Sequence, residues 1–189
     1  GLMASTSALR VAFVGAGYMA SEHLCAFAAC PEVELVGIHS RSTHRAEALT
    51  RTFPGLNVFP SIKALYNETN ADLVVIAVPE LACQTVCEQA FQHPWTLLIE
   101  KPVGYTLKQA RQIEQTAETL GAKAYVALNR RFYGSTLQLQ NALQSTEGLR
   151  VVTILDQEDA ESALAAGQPA EVVHNWMYAN SIHLIDYFS

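Results

Sequence analysis

The chain has no apolar run approaching the ~20 residues a membrane-spanning helix requires. It also lacks a basic stripe: 12 Lys and Arg stand against 18 Asp and Glu, a formal net charge of −6 spread along the sequence. The electrostatic footprint of a nucleic-acid binder is therefore missing. Neither nucleic acid nor membrane is expected as a partner, and the chain reads as a soluble, cytoplasmic protein. Cysteine is scarce. Cys25 with Cys30, and Cys83 with Cys87, do not have the CxxC spacing of zinc or redox sites. All four read as buried free thiols in helices, which fits a reducing compartment. Among the histidines, His23 and His39 fall within regular elements, His44 and His93 read as exposed, and His174 reads as a pocket residue or a surface-loop residue. They form no metal-ligand cluster, so no metal is expected. No internal repeat is visible, and the small-residue stretch around 162–167 is the one low-complexity tract. Gly1 and Leu2 ahead of Met3 resemble a cloning remnant and are set aside.

Apolar residues are plentiful. They make up 50% of the 189-residue chain, against 16% charged residues, enough for one sizeable core and part of a second. Short β-branched runs recur: Leu9 to Gly15, Glu34 to Ser40, Asp72 to Val78, Trp95 to Glu100 and Lys123 to Leu128 read as strands. Asn57 to Phe59 reads as a shorter one. Between them, helices are predicted over Tyr18 to Cys30, Thr43 to Phe53, a brief segment capped by Ser61, Leu81 to Gln92, and Thr106 to Leu120 with Gly121 as its C′ residue. This alternation predicts an α/β fold: a doubly wound parallel sheet of the Rossmann type with right-handed crossovers. After residue 128 the pattern changes to a helix near Gly134 to Gln144, a strand Leu149 to Leu155, an irregular Ala- and Glu-rich stretch, and an amphipathic segment Asn180 to Phe188. Residues 1–128 are thus expected to form a nucleotide-binding domain, and 129–189 the beginning of an incomplete second α/β domain.

Gly15-Ala16-Gly17-Tyr18-Met19-Ala20 is GxGxxA between a predicted strand and a predicted helix. Gly15 would make the tight turn, Gly17 would let the backbone approach a pyrophosphate, and Ala20 would let helix and strand pack closely. Peptide N–H groups at the helix start, with the helix dipole behind them, favour phosphate there. A glycine turn that merely connects strand to helix is the alternative. At the end of the second strand, where an acidic residue would favour NAD, the chain has Ser40-Arg41-Ser42. Arg41 can pair with a 2′-phosphate in a forked geometry and the two hydroxyls can hydrogen-bond it, which favours NADP. An Arg41 stacked on adenine would remain compatible with NAD.

Ligands of open α/β sheets bind beyond the carboxyl ends of the strands, so Gly15, Arg41, Val78-Pro79, Glu100-Lys101 and Asn129 are the positions to inspect. Lys101 can stabilise alkoxide character on a substrate oxygen; a surface lysine paired with Glu100 is the alternative. His183, with Asp186 three residues on, suits proton transfer near neutral pH, or simply packing within the second domain.

GxGxxA, Glu100-Lys101-Pro102 and the His183–Asp186 segment, in this order, resemble the glucose-fructose oxidoreductase, inositol dehydrogenase and MocA family (Gfo/Idh/MocA), from about Leu9 to Asp186. The resemblance implies an N-terminal Rossmann domain and a C-terminal α/β domain that often mediates homo-oligomers. It also implies NAD(P)-dependent oxidation or reduction of sugars, polyols or related compounds. Lys101 would be the active-site lysine, His183 the proton-transferring histidine, and Asn129 with Arg131 would lie beside the nicotinamide. Tyr18, Met19 and Ala20 complete the cofactor set, and Trp176 and Asn180 join Lys101 and His183 facing the substrate. Ser40-Arg41 matches the NADP-using members. The chain departs from the family at Ala179, where members with a full catalytic set carry Asp, and at Cys83, where many have His. Its end at Ser189 reads as that of a fragment. A cofactor-sensing or regulatory protein without competent chemistry is the second expectation, and a bare structural α/β domain the third.

Overall fold

The computed structural model describes residues 7–128, 137–138, 141, 144, 159–175 and 178. Five strands, β1 (Leu9–Val14), β2 (Val33–His39), β3 (Leu73–Ile76), β4 (Thr96–Glu100) and β5 (Lys123–Ala127), form one wholly parallel sheet in the order β2-β1-β3-β4-β5. Helices α1 (Tyr18–Ala28), α2 (Thr43–Thr52), α3 (Ile62–Thr69), α4 (Cys83–Ala90) and α5 (Leu107–Leu120) provide the crossovers that parallel strands require.

The apolar run of β1 is buried on both faces, with Val11, Ala12, Phe13 and Val14 all at 2% exposure or less. Alternate residues feed separate cores. Val11 and Phe13 pack with Leu24 of α1, Ile38 of β2 and Ala46 of α2. Ala12 and Val14 join Leu65 of α3, Cys87 of α4, Leu97 of β4 and Ile113 of α5. A period of two in the strand thus builds a helix layer on each side. Each large side chain so buried contributes roughly 1.5–3 kcal/mol.

Local chemistry sets the helix ends. Ser42, Ser61 and Thr106 cap α2, α3 and α5 by accepting from the amides of Arg45, Ala64 and Gln109 at 3.4, 3.0 and 3.2 Å. Gly121 closes α5 in the left-handed region, with φ at 65°. Several elements are shorter than the sequence predicts. A 3-10 turn, Glu80–Ala82, precedes α4, because the extended Pro79 must turn before the helix can start. Asn57 to Phe59 contributes only a parallel bridge between Ile38 and Val58.

Three expectations are corrected. Cys83 and Cys87 are buried, but Cys25 and Cys30 are exposed, since Cys25 lies on the outer side of α1, away from Ala20 and Leu24, and Cys30 lies past the helix end. His93 is half-buried, stacked on Tyr66 with ring centroids 4.7 Å apart; burial first, then the nearby Lys63, hold its imidazole below the usual range. The Ala- and Glu-rich stretch is not irregular. It contains helices α6 (Ala160–Ala165) and α7 (Ala170–His174), the first capped by Asp159, whose Oδ1 accepts from the Ser162 amide at 2.9 Å. The expected helix near 134–144 lies largely outside the described residues, and the strand 149–155 and the segment 180–188 lie wholly outside them.

Candidate functional site

A groove of about 860 Å³ crosses the C-terminal ends of β1, β2, β3 and β4. It lies where chain order reverses around β1, the switch point at which open α/β sheets bind ligands. The turn after β1 forms its floor. Gly15 has φ at 106°, and a Cβ there would overlap the Ala77 carbonyl beyond β3. Its N–H donates to the His39 carbonyl at 2.8 Å, which locks the turn against β2. Only glycine meets both conditions.

Gly17 is the N-cap of α1 and gives it no side-chain cap, unlike the cap residues of α2, α3 and α5. The first-turn amides of α1 are therefore directed, with the helix dipole, at the groove. A Cβ built on Gly17 would meet nothing within 4 Å, so the backbone is open to close approach. Ala20 packs beneath this turn at 1% exposure and does not line the groove.

Tyr18, Met19, Ser40, Arg41, Ser42, Val78, Pro79, Glu100 and Lys101 all line the groove with Gly15 and Gly17. Residues separated widely in sequence are thus gathered at one rim. Ser42 doubles as the cap of α2, and its amide donates to Ser40 Oγ at 3.2 Å, so the loop carrying Arg41 is held at its base. The Lys101–Pro102 peptide bond is cis. Glu100 takes a hydrogen bond from His23 Nε2 at 2.6 Å, a partner 77 residues away that no local pattern marks. Outside the groove, Tyr178 donates through its hydroxyl to the Val103 carbonyl at 2.8 Å. Burial, with the nearby Cys83 adding, pushes its phenol up to about 12. Cys83 points into the core beside Cys87, the sulfurs 3.9 Å apart, and does not line the groove. Hydrogen bonding to Cys83 and burial push the Cys87 thiol up.

Asn129, Arg131, Trp176, Asn180 and His183, with Ala179, lie outside the described residues. Among the lining residues that sequence reading missed, Arg45 left a signal: a cation in the first turn of α2, with no acidic residue there, sits at the end of the helix dipole that disfavours it. Gln168 and Pro169, between α6 and α7, also line the groove; no local signal marks them, because only the packing of the later segment brings them there. Among the described residues, no group of three or more His, Cys, Asp and Glu could hold a metal ion, and no helix is long and apolar enough to cross a membrane.

Comparison with known proteins follows the same geometry. Residues 9–128 match the family Gfo/Idh/MocA, described as an oxidoreductase family with an NAD-binding Rossmann fold. An uncharacterised oxidoreductase, YdgJ, of Escherichia coli K12 is 31% identical over 136 residues, covering 71% of this chain and 38% of that protein. Glucose-6-phosphate 3-dehydrogenase of Bacillus subtilis 168 is 24% identical over 192 residues, covering 94% of this chain and 52% of the relative. The chain thus spans about half, or less, of the length of these relatives. A crystal structure of myo-inositol dehydrogenase from Lactobacillus casei, in complex with NAD(H) and myo-inositol, superposes with a TM-score of 0.67 at 23% identity, over 73% of this chain and 42% of that one; this likeness shows the fold.

Proposed function

The chain belongs to the Gfo/Idh/MocA oxidoreductase family, and from that premise we propose that it serves an NAD(P)-dependent dehydrogenase or reductase that interconverts a hydroxyl and a carbonyl on a sugar, polyol or related small molecule. The observation that carries the reading is the uncapped start of α1 behind Gly15 and Gly17, opening on a groove that ends at Lys101.

A dinucleotide fits the residues present. The amides at the α1 start suit its diphosphate, the space in front of Gly17 admits close approach, and Arg41 with Arg45 flank the second strand end, where the adenosine ribose would lie. Two guanidiniums, with no carboxylate among the described residues that line that strand end, favour NADP over NAD. When bound, the nicotinamide supplies or accepts hydride. Lys101 would donate a hydrogen bond to the substrate oxygen and stabilise its developing negative charge. His183 would hold the exchanging proton, Asn129 and Arg131 would border the nicotinamide, and Trp176 with Asn180 would face the substrate. Residues 129–189 would open the second domain, whose continuation in longer relatives would supply the rest of the substrate wall and an oligomer contact.

Calorimetric titration with NADPH and NADH, followed by a turnover screen with NADP⁺ against sugars, polyols and sugar acids, tests the proposal. We expect tight NADPH binding, weaker NADH binding and turnover of at least one class. Failure to bind either nucleotide would overturn it. Ala179, at a position where the family's full catalytic set has Asp, favours a second reading as a cofactor sensor, which predicts tight NADPH binding with no turnover of any substrate.

A further inference from the structure

His23 and Glu100 lie 77 residues apart and meet at 2.6 Å, imidazole Nε2 donating to carboxylate Oε2. Their side chains are only 16% and 9% exposed, whereas Arg10 and Glu34, an ion pair on the surface, are 38% and 56% exposed. An exposed pair is worth little, but removing the donor to a largely buried carboxylate leaves that acceptor unsatisfied. Position gives this bond its meaning. His23 lies on α1, whose first turn faces the groove beside Gly17, and Glu100 ends β4, directly before Lys101. β3 separates β1 from β4 in the sheet, so no ladder bond joins the glycine turn's strand to the strand that presents Lys101. The side-chain bond spans that gap.

We infer that His23 is a positioning residue: through Glu100 it sets the spacing between the diphosphate end of the groove and Lys101. The inference rests on the dinucleotide reading above. His23 itself does not line the groove, so its effect reaches the reacting end only through Glu100 and the backbone that follows.

The test uses the 189-residue chain and the variants His23→Leu, His23→Gln and His23→Leu/Glu100→Gln. Three readouts are compared: affinity for 2′,5′-ADP, which engages only the adenosine end; the fluorescence lifetime of the nicotinamide in bound NADPH; and the rate at which trace acetic anhydride acylates Lys101, with and without NADPH, followed by peptide mass spectrometry. His23→Leu should hold 2′,5′-ADP within about twofold of the parent. It should also shorten the nicotinamide lifetime and lose the protection of Lys101 by NADPH. His23→Gln, whose amide can still donate to Glu100, should restore both. If His23→Leu unfolds, the double variant, which removes the buried charge with its partner, carries the same readouts. Parent lifetime and parent Lys101 protection in the Leu variant would overturn the inference, as would equal loss of both nucleotides that Gln does not rescue. If the parent binds neither nucleotide, the dinucleotide reading falls. The acylation rate of the free chain then decides His23 on its own: a changed rate in His23→Leu, restored in His23→Gln, supports it, and equal rates sink it.

Discussion

Arg41, Arg45 and Lys101 line one groove, yet the tasks proposed for them are separable, because the two arginines flank the end of β2 whereas Lys101 follows β4. A guanidinium recognises a 2′-phosphate through charge-assisted hydrogen bonds, each worth ~1.5–3 kcal/mol. Arg41→Ala and Arg45→Ala should therefore each weaken NADPH on the order of tenfold while changing NADH little, as read by paired titrations. Equal losses for both nucleotides would mean that neither arginine reads the phosphate. Lys101→Met should leave NADPH affinity near the parent value and lower kcat/KM for any substrate the screen finds by about 10²–10³, the loss expected for a donor to developing negative charge. Turnover near the parent rate would remove Lys101 from the chemistry.

At the scale of elements, the two glycines of the turn after β1 are expected to fail differently. Gly15→Ala places a Cβ on a positive-φ backbone and against the Ala77 carbonyl, so urea unfolding should show a loss of at least ~2–3 kcal/mol. Gly17→Ala sits on extended backbone, φ −88°, with open space before it. Its stability cost should stay below ~1 kcal/mol while nucleotide affinity falls, because the methyl occupies the approach to the α1 amides. The N-caps supply an internal scale: Ser61→Ala removes the acceptor for the Ala64 amide and should cost about 1 kcal/mol without touching the groove.

At the scale of the molecule, a bond from the Tyr178 hydroxyl to the Val103 carbonyl ties a described residue beyond β5 to the turn after Lys101. Its phenol, pushed up to about 12 in the folded state, keeps its proton where the unfolded chain, at the ordinary 10.0, loses it. The unfolded state thus binds fewer protons between these values, and stability falls as pH rises through that window. For a ring that is about half exposed the contribution is discounted to about 1 kcal/mol. Comparing the parent with Tyr178→Phe in denaturant melts from pH 9 to 12 should show the parent losing this extra amount; parallel curves would mean that the hydroxyl is not protected.

Strand and helix order through β5, the glycine turn, the caps at Ser61 and Gly121 and the cation after β2 were legible in the chain, because each depends on residues within a few positions of one another. Val11 to Val14 had to be buried on both faces by composition alone, and Gly121 had to end a helix. Other features are decided by contacts between residues far apart in sequence. The exposure of Cys25 and Cys30, the arrival of Gln168 and Pro169 at the groove and the bond from His23 to Glu100 follow from how helices sit on the sheet. Local periodicity cannot specify which distant side chain will occupy a given direction; only the assembled sheet, with α1 lying over it, brings His23 within 2.6 Å of Glu100.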